Sequence, residues 1–129
     1  MLASDLTLDK ADGTDQIFRL VSQDGSGSRR LDIASTLALP SVLNIKHSVS
    51  GKEPSIVDRH LVSFSKTLPS TVGSVTATVN FTLTVPRDVA VTSAVIWDMV
   101  CSMLDLLSDG SVASYTAHNN VDSLLRGEA

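Results

Sequence analysis

From Val75 to Val85 apolar and polar residues alternate without a break. Val75, Ala77, Val79, Phe81, Leu83 and Val85 take one side; Thr76, Thr78, Asn80, Thr82 and Thr84 take the other, and Pro86 ends the run. A period of two means a strand with one face buried. The same alternation recurs upstream. In SVLNIKHSVS (41–50), Leu43, Ile45, His47 and Val49 oppose Asn44, Lys46, Ser48 and Ser50. In IVDRHLVSFSKT (56–67), His60, Val62 and Phe64 oppose Arg59, Leu61, Ser63 and Ser65. RRLDIAS (29–35) is a further candidate strand. Leu6 and Leu8 alternate with Thr7 and Asp9, and QIFRLVS carries a mixed face, so an N-terminal hairpin is expected over 5–22, pairing 5–9 with 16–22. Turn chemistry separates these runs: Asp-Gly in ADGT (11–14) and in QDGSGS (23–28), GKEP (51–54), and LPSTVGS (68–74) with Pro69 and Gly73. QDGSGS reads as a mobile hairpin loop and LPSTVGS as a loop. Short connections between alternating runs predict an antiparallel meander, with the sheet over 29–86.

After Pro86 the period changes. VTSAVIWDMVCSMLDLLSDG (91–110) spaces Val91, Val95, Met99, Met103 and Leu106, and also Ile96, Val100 and Leu107, at helical intervals. Thr92 or Ser93 is placed to cap its start and Gly110 to end it. A first helix is therefore expected over about 91–109 and a second over about 112–126, where Val121, Leu124 and Leu125 are apolar. About six strands followed by two C-terminal helices make an α+β fold in a single domain. Two helices barely cover so broad a sheet, and the apolar stripe of the first, widened by Trp97 and Met103, is too wide for one partner surface. A dimer in which the helices of one chain cover the sheet of another meets both needs.

The chain has 129 residues, enough to bury a core without disulfides or metals, and its aromatic content of 4% implies a core of Val, Leu, Ile and Ala. Net charge is −4, which offers no global argument for a nucleic-acid partner. The charge is uneven, however. From Arg29 to Arg87 the cations Arg29, Arg30, Lys46, Lys52, Arg59, Lys66 and Arg87 outnumber the acids Asp32, Glu53 and Asp58. One cysteine, Cys101, excludes an intrachain disulfide and reads as a buried structural thiol. No stretch is long or apolar enough to span a membrane, and MLASDLTLDK does not read as a signal peptide, so a reducing cytoplasm is the expected site of synthesis.

Catalytic constellations are missing from the pattern. There is no GxSxG elbow, no phosphate loop and no dinucleotide fingerprint. His47 and His60 fall on adjacent strands and are expected close together, but no Cys or Glu cluster accompanies them, and packing is their ordinary role. No cofactor, metal or enzymatic activity is expected. The polar sides of the strands are more informative. Thr76, Thr78, Asn80, Thr82 and Thr84, Arg59, Ser63 and Ser65, and Asn44, Lys46, Ser48 and Ser50 would form a broad face of small hydrogen-bonding groups with a few cations and almost no acid. Threonine is also simply a good exposed strand residue. As a functional surface such a face suits a polyanion: small polar groups reach base edges and phosphates, and Lys and Arg release counterions. Arg59, Lys46 and Lys66 are expected to cluster on or near it.

VNFTLTVP (79–86), followed after a few residues by a helix ending in LDLLSDG (104–110), resembles the coat proteins of the single-stranded RNA bacteriophages, the leviviruses. The likeness is tight from 75 to 110 and upstream is one of element order and spacing. It implies an intertwined homodimer with a continuous ten-stranded sheet. It also implies an icosahedral shell built through the loop 68–74, and an inner sheet face that meets viral RNA, in some members an operator hairpin for translational repression. The implied location is the virion, assembled in the bacterial host cytoplasm, with no membrane partner. Asn80 falls where the family has an RNA-contacting asparagine. Thr78 stands where some members have a stacking tyrosine, a departure that counts against tight hairpin recognition of that kind. Lys46, Ser48, Ser63, Ser65 and Arg59 fall on RNA-facing positions, Thr76 and Thr82 join them by alternation, and Arg30 is a weaker candidate. A reading from another class is a small dimeric α+β enzyme or ligand-binding module with a pocket between sheet and helices, for which only His47 and His60 supply polar groups.

Overall fold

A computed structural model describes residues 2–108 and 119–128. It holds six strands and two helices: β1 (Asp5–Asp9), β2 (Asp15–Asp24), β3 (Gly27–Asp32), β4 (Ser41–Ser50), β5 (Val57–Ser70), β6 (Gly73–Pro86), α1 (Ser93–Leu107) and α2 (Asn119–Leu125). Two compact units emerge. One contains Asp15–Arg87 with the N-terminal residues through Leu8; the other contains Asp9–Thr14 and the chain from Asp88 onward.

In the first unit the strands lie in sequence order, β1-β2-β3-β4-β5-β6, the meander that the alternation predicts. Pairing is antiparallel from β2 to β6. Paired residues across an antiparallel ladder share a face, so the register sorts the side chains of β3 to β6 directly. One face carries the rows Leu43–Phe64–Val79, Ile45–Val62–Phe81, His47–His60–Leu83 and Val49–Asp58–Val85. The other carries Val42–Ser65–Thr78, Asn44–Ser63–Asn80, Lys46–Leu61–Thr82 and Ser48–Arg59–Thr84.

The turns are tighter than their composition suggests. QDGSGS is strand for most of its length: β2 and β3 pair up to Asp24 and Gly27, leaving only Gly25 and Ser26 as the turn. The Asp24 carboxylate accepts from the Ser26 N–H at 2.7 Å, the Ser26 hydroxyl at 2.7 Å and the Gly27 N–H at 3.0 Å, an Asx turn that satisfies the reversing backbone. These bonds hold the Asp24 carboxyl below the usual carboxylate range, the Ser26 side-chain bond contributing most. A Cβ at Gly27 would collide with the Ile45 carbonyl of β4, so the third strand pairs closely only because position 27 has no side chain. The expected start of that strand at 29 therefore moves back to Gly27.

LPSTVGS is likewise strand for most of its length. β5 runs to Ser70 and β6 starts at Gly73, with Thr71 and Val72 between them. Pro69 fits because the Thr67 N–H, two residues earlier, turns towards the β4 side and donates to the Pro40 carbonyl at 3.0 Å. Alternation gives Pro69 the same orientation, past the end of β4, where no ladder bond is lost. Gly73 has a φ of 115°, the left-handed backbone the reversal needs.

The core is small. Phe18, Val42, Leu43 and Ile45 are the buried hydrophobic residues, and Phe18 meets Phe64 edge-on at a centroid distance of 5.4 Å. By contrast Val79 is 71% exposed, and Val75, Leu68, Val49 and Phe81 are also exposed on the apolar face.

In the second unit Thr92 is the helix N-cap, its Oγ1 accepting from the Val95 N–H at 3.3 Å, one of the two residues expected there. The described helix starts at Ser93 and is capped at Ser108, whose N–H donates to the Leu104 carbonyl. Gly110, the expected stop, and the expected start of the second helix at 112 lie outside the described residues. None of the residues of α1 is buried; Trp97 is 60% and Met99 64% exposed. Cys101 is half-buried rather than buried. No helix among the described residues is long and apolar enough to cross a membrane.

Candidate nucleic-acid interface

The polar face of β3 to β6 is built by alternation alone. Because the register keeps β4, β5 and β6 in step over their whole overlap, nine of the ten residues singled out from sequence lie on one surface: Lys46, Ser48, Arg59, Ser63, Ser65, Thr76, Thr78, Asn80 and Thr82. Asn80 sits opposite Ser63, which sits opposite Asn44, giving a row of small polar groups across three strands. Ser65 and Thr78 hydroxyls lie 3.1 Å apart, and Thr67 and Thr76 hydroxyls 2.9 Å apart, so neighbouring hydroxyls order one another. Residues of this face on β6 are exposed from Thr76 to Thr84.

Arg30 does not join them. It pairs with Leu20 on β2 and Leu43 on β4, on the opposite face, and is 2% exposed. Its guanidinium donates to the Ser4 and Ala3 carbonyls, at 3.3 and 2.9 Å, and to the Ser28 hydroxyl. It therefore ties the N-terminal segment to the sheet and presents nothing to solvent. Lys66 also departs from the expected cluster: it stands opposite Ser41 and Ala77, on the apolar face.

Arg29 takes the place that Arg30 was expected to hold. It is exposed, opposite Asn44 on the polar face, and one row from Lys46, which itself pairs with Gly27. The pattern RRLDIAS hides this, because Leu31 and Ile33 share the parity of Arg29 and mark that side as inward. The register is set instead by the two-residue turn at Gly25 and Ser26, a constraint visible only once Asp24 is seen to cap it.

Among the described residues Arg29, Lys46 and Arg59 make no ion pair, and no acid stands on the polar face of β3 to β6. Asp58 faces the other way and is held bidentately by Arg87, at 2.9 and 2.8 Å. That guanidinium, chiefly through its hydrogen bond, keeps the Asp58 carboxyl below the usual range. The three cations border a hollow of about 720 Å³ beside the β2–β3 turn, whose lining also includes Asn44, Thr82, the turn acid Asp24 and, from the other face, His47 and His60. Among the described residues no group of three or more His, Cys, Asp and Glu side chains is placed to hold a metal ion. What the surface offers chemically is three cations with hydroxyl and amide donors and acceptors, and no aromatic side chain on the polar face of β3 to β6 among the described residues.

No protein-family model matches the chain, and no curated protein matches its sequence. Solved structures do match along the whole length. The coat protein of bacteriophage EMS014 aligns with a TM-score of 0.76 at 12% identity, covering 99% of this chain and 98% of that one. The virus-like particle of bacteriophage AVE019 aligns with a TM-score of 0.68 at 16% identity, over 95% and 96% of the two chains. The capsid protein of bacteriophage GA aligns with a TM-score of 0.61 at 10% identity, over 97% and 95%. The chain has the fold of the coat proteins of levi-like RNA phages, six antiparallel strands followed by two helices, as the sequence leads one to expect.

Proposed function

We propose that this protein is a capsid subunit of an RNA bacteriophage: it dimerises, the dimers assemble into a closed shell, and the polar sheet face lines the interior against single-stranded RNA. Its role is structural rather than catalytic, and its place is the virion, assembled in the cytoplasm of the host. The observation that carries this reading is the alignment with the EMS014 coat protein, which covers 99% of this chain and 98% of that one.

The physical chemistry of the single chain supports the dimer. The apolar rows of β5 and β6 and the apolar stripe of α1 are both exposed, and each buried Val, Leu or Phe side chain contributes roughly 1.5–3 kcal/mol. A second copy whose helices cover this sheet satisfies both surfaces at once. β6 is also an edge strand of 14 residues, and pairing it with its equivalent removes two open edges together. With the short β1 left aside, two copies of β2 to β6 make the ten-stranded sheet that the family resemblance implies.

RNA binding rests on the acid-free face with Arg29, Lys46 and Arg59. Thr78 and the absence of aromatics from this face favour contacts with phosphates and base edges over stacking, so packaging of RNA with modest sequence preference is the form of binding proposed. The test is fluorescence anisotropy of a labelled single-stranded RNA against the purified dimer over a range of salt. Replacing Arg29, Lys46 or Arg59 by Ala should weaken binding to all sequences alike and lower the salt slope by roughly one for each cation. Unchanged affinity in all three variants would remove RNA from this face.

A further inference from the structure

We propose that His47 and His60 form a two-nitrogen chelate for a late first-row divalent metal ion, with copper(II) the best fit. The proposal does not depend on the capsid reading, and it uses the other face of the sheet, the apolar one that the proposed dimer partner would cover.

The two histidines stand directly opposite one another on β4 and β5. The His47 N–H donates to the Ser26 carbonyl on the β3 side at 2.6 Å, so the backbone of His47 is turned away from β5. His47 and His60 are therefore a non-hydrogen-bonded pair, the kind in which facing side chains come closest, with Cα atoms about 4.5 Å apart. Their Nδ1 atoms lie 2.8 Å apart and the ring planes meet at 69°. Without a metal this contact is a hydrogen bond, one ring donating and the other accepting.

That separation has a second meaning. Two nitrogens each about 2.0 Å from a metal and at right angles to one another lie about 2.8 Å apart. A tetrahedral centre spreads them to about 3.3 Å. The separation is that of the hydrogen bond itself, and it also matches adjacent positions of a square-planar or tetragonal ion, the preference of Cu(II) and Ni(II), with Cu(II) the strongest binder of the divalent series. In the single chain His47 is exposed and His60 half-buried, which leaves the remaining coordination positions open to water there. Asp58 lies on the same face two residues before His60, but both its oxygens are engaged by Arg87, which leaves it a neighbouring charge rather than a ligand. The backbone already holds the two donors together; binding requires the donating ring to shift its proton from Nδ1 to Nε2, so that both Nδ1 lone pairs face the ion, and it ties β4 to β5 at this row.

The test is calorimetric titration of copper(II) chloride into the purified full chain at neutral pH, with electron paramagnetic resonance on the product and sizing to record the assembly state separately. One ion per chain is expected, with a dissociation constant in the micromolar range and hyperfine structure from two imidazole nitrogens. His47→Gln and His60→Gln should each weaken binding by about tenfold or more, His118→Gln should not, and Ni(II) and Zn(II) should bind more weakly than Cu(II). Circular dichroism of the variants establishes that they fold. Absence of copper binding by the wild-type chain, or binding unchanged in the folded His47→Gln and His60→Gln variants, would overturn the proposal and leave the pair a packing contact.

Discussion

Arg30 shows how one position on a strand separates a surface cation from a structural one. Its guanidinium is buried, and it is held by two backbone carbonyls and a hydroxyl rather than by a carboxylate. Replacing it by Ala strands those acceptors and opens a cavity, and should lower the unfolding free energy by about 2–4 kcal/mol in denaturant titration. Arg29→Ala, one residue away and exposed, should change stability by less than about 0.5 kcal/mol. The pair Asp58–Arg87 gives a second residue-scale expectation. Because Arg87 lowers the carboxyl pKa in the folded chain, the unfolded chain binds more protons in the window between the two values. The contribution is therefore fully present at neutral pH and is lost as pH falls through and below the usual carboxylate range. Thermal melts at neutral and acid pH should show a larger acid loss for the wild type than for Asp58→Asn. Most polar-face residues were legible from alternation, because the period of two is a property of the backbone itself. The exchange of Arg29 for Arg30 was not, because the parity of β3 depends on a turn whose geometry is fixed by three hydrogen bonds to one side chain.

At the scale of elements, the turns hold the information that composition obscures. Glycine and serine in QDGSGS suggest freedom, yet Gly27 is the one residue type that lets β3 lie against β4 at this register. Gly27→Ala should force the Ile45 carbonyl aside and cost about 1–3 kcal/mol, with amide exchange accelerated along β3 and β4 rather than throughout the sheet. LPSTVGS looked like an open loop for the same reason. Its Pro69 is tolerated in β5 because its nitrogen faces past the end of β4, something no single-strand pattern reveals. The helix α1 was readable in both its period and its cap, since both are local. Its lack of any buried residue was foreshadowed too: a stripe too wide for one surface is visible in the spacing of Val95, Met99 and Met103 with Ile96 and Val100.

The whole molecule is defined by what it leaves uncovered. Four hydrophobic side chains are buried in the described chain, while Val79, Val75, Phe81, Trp97 and Met99 are not. In the proposed dimer a second copy would cover those surfaces and tie folding to association. Val79→Asp would place a charge at the centre of the proposed interface and should abolish dimers in size-exclusion chromatography with light scattering, leaving monomer or aggregate. Unaltered dimers in that variant would mean that another surface joins the copies. The central claim, that this chain is a shell-forming subunit around RNA, is tested most directly by electron microscopy of the protein purified from expressing cells after nuclease treatment, with nucleic-acid absorbance read on the same fraction. The account predicts uniform closed particles that retain protected RNA. A discrete soluble species free of nucleic acid, forming no particles over the range of protein and RNA concentrations tried, would contradict it.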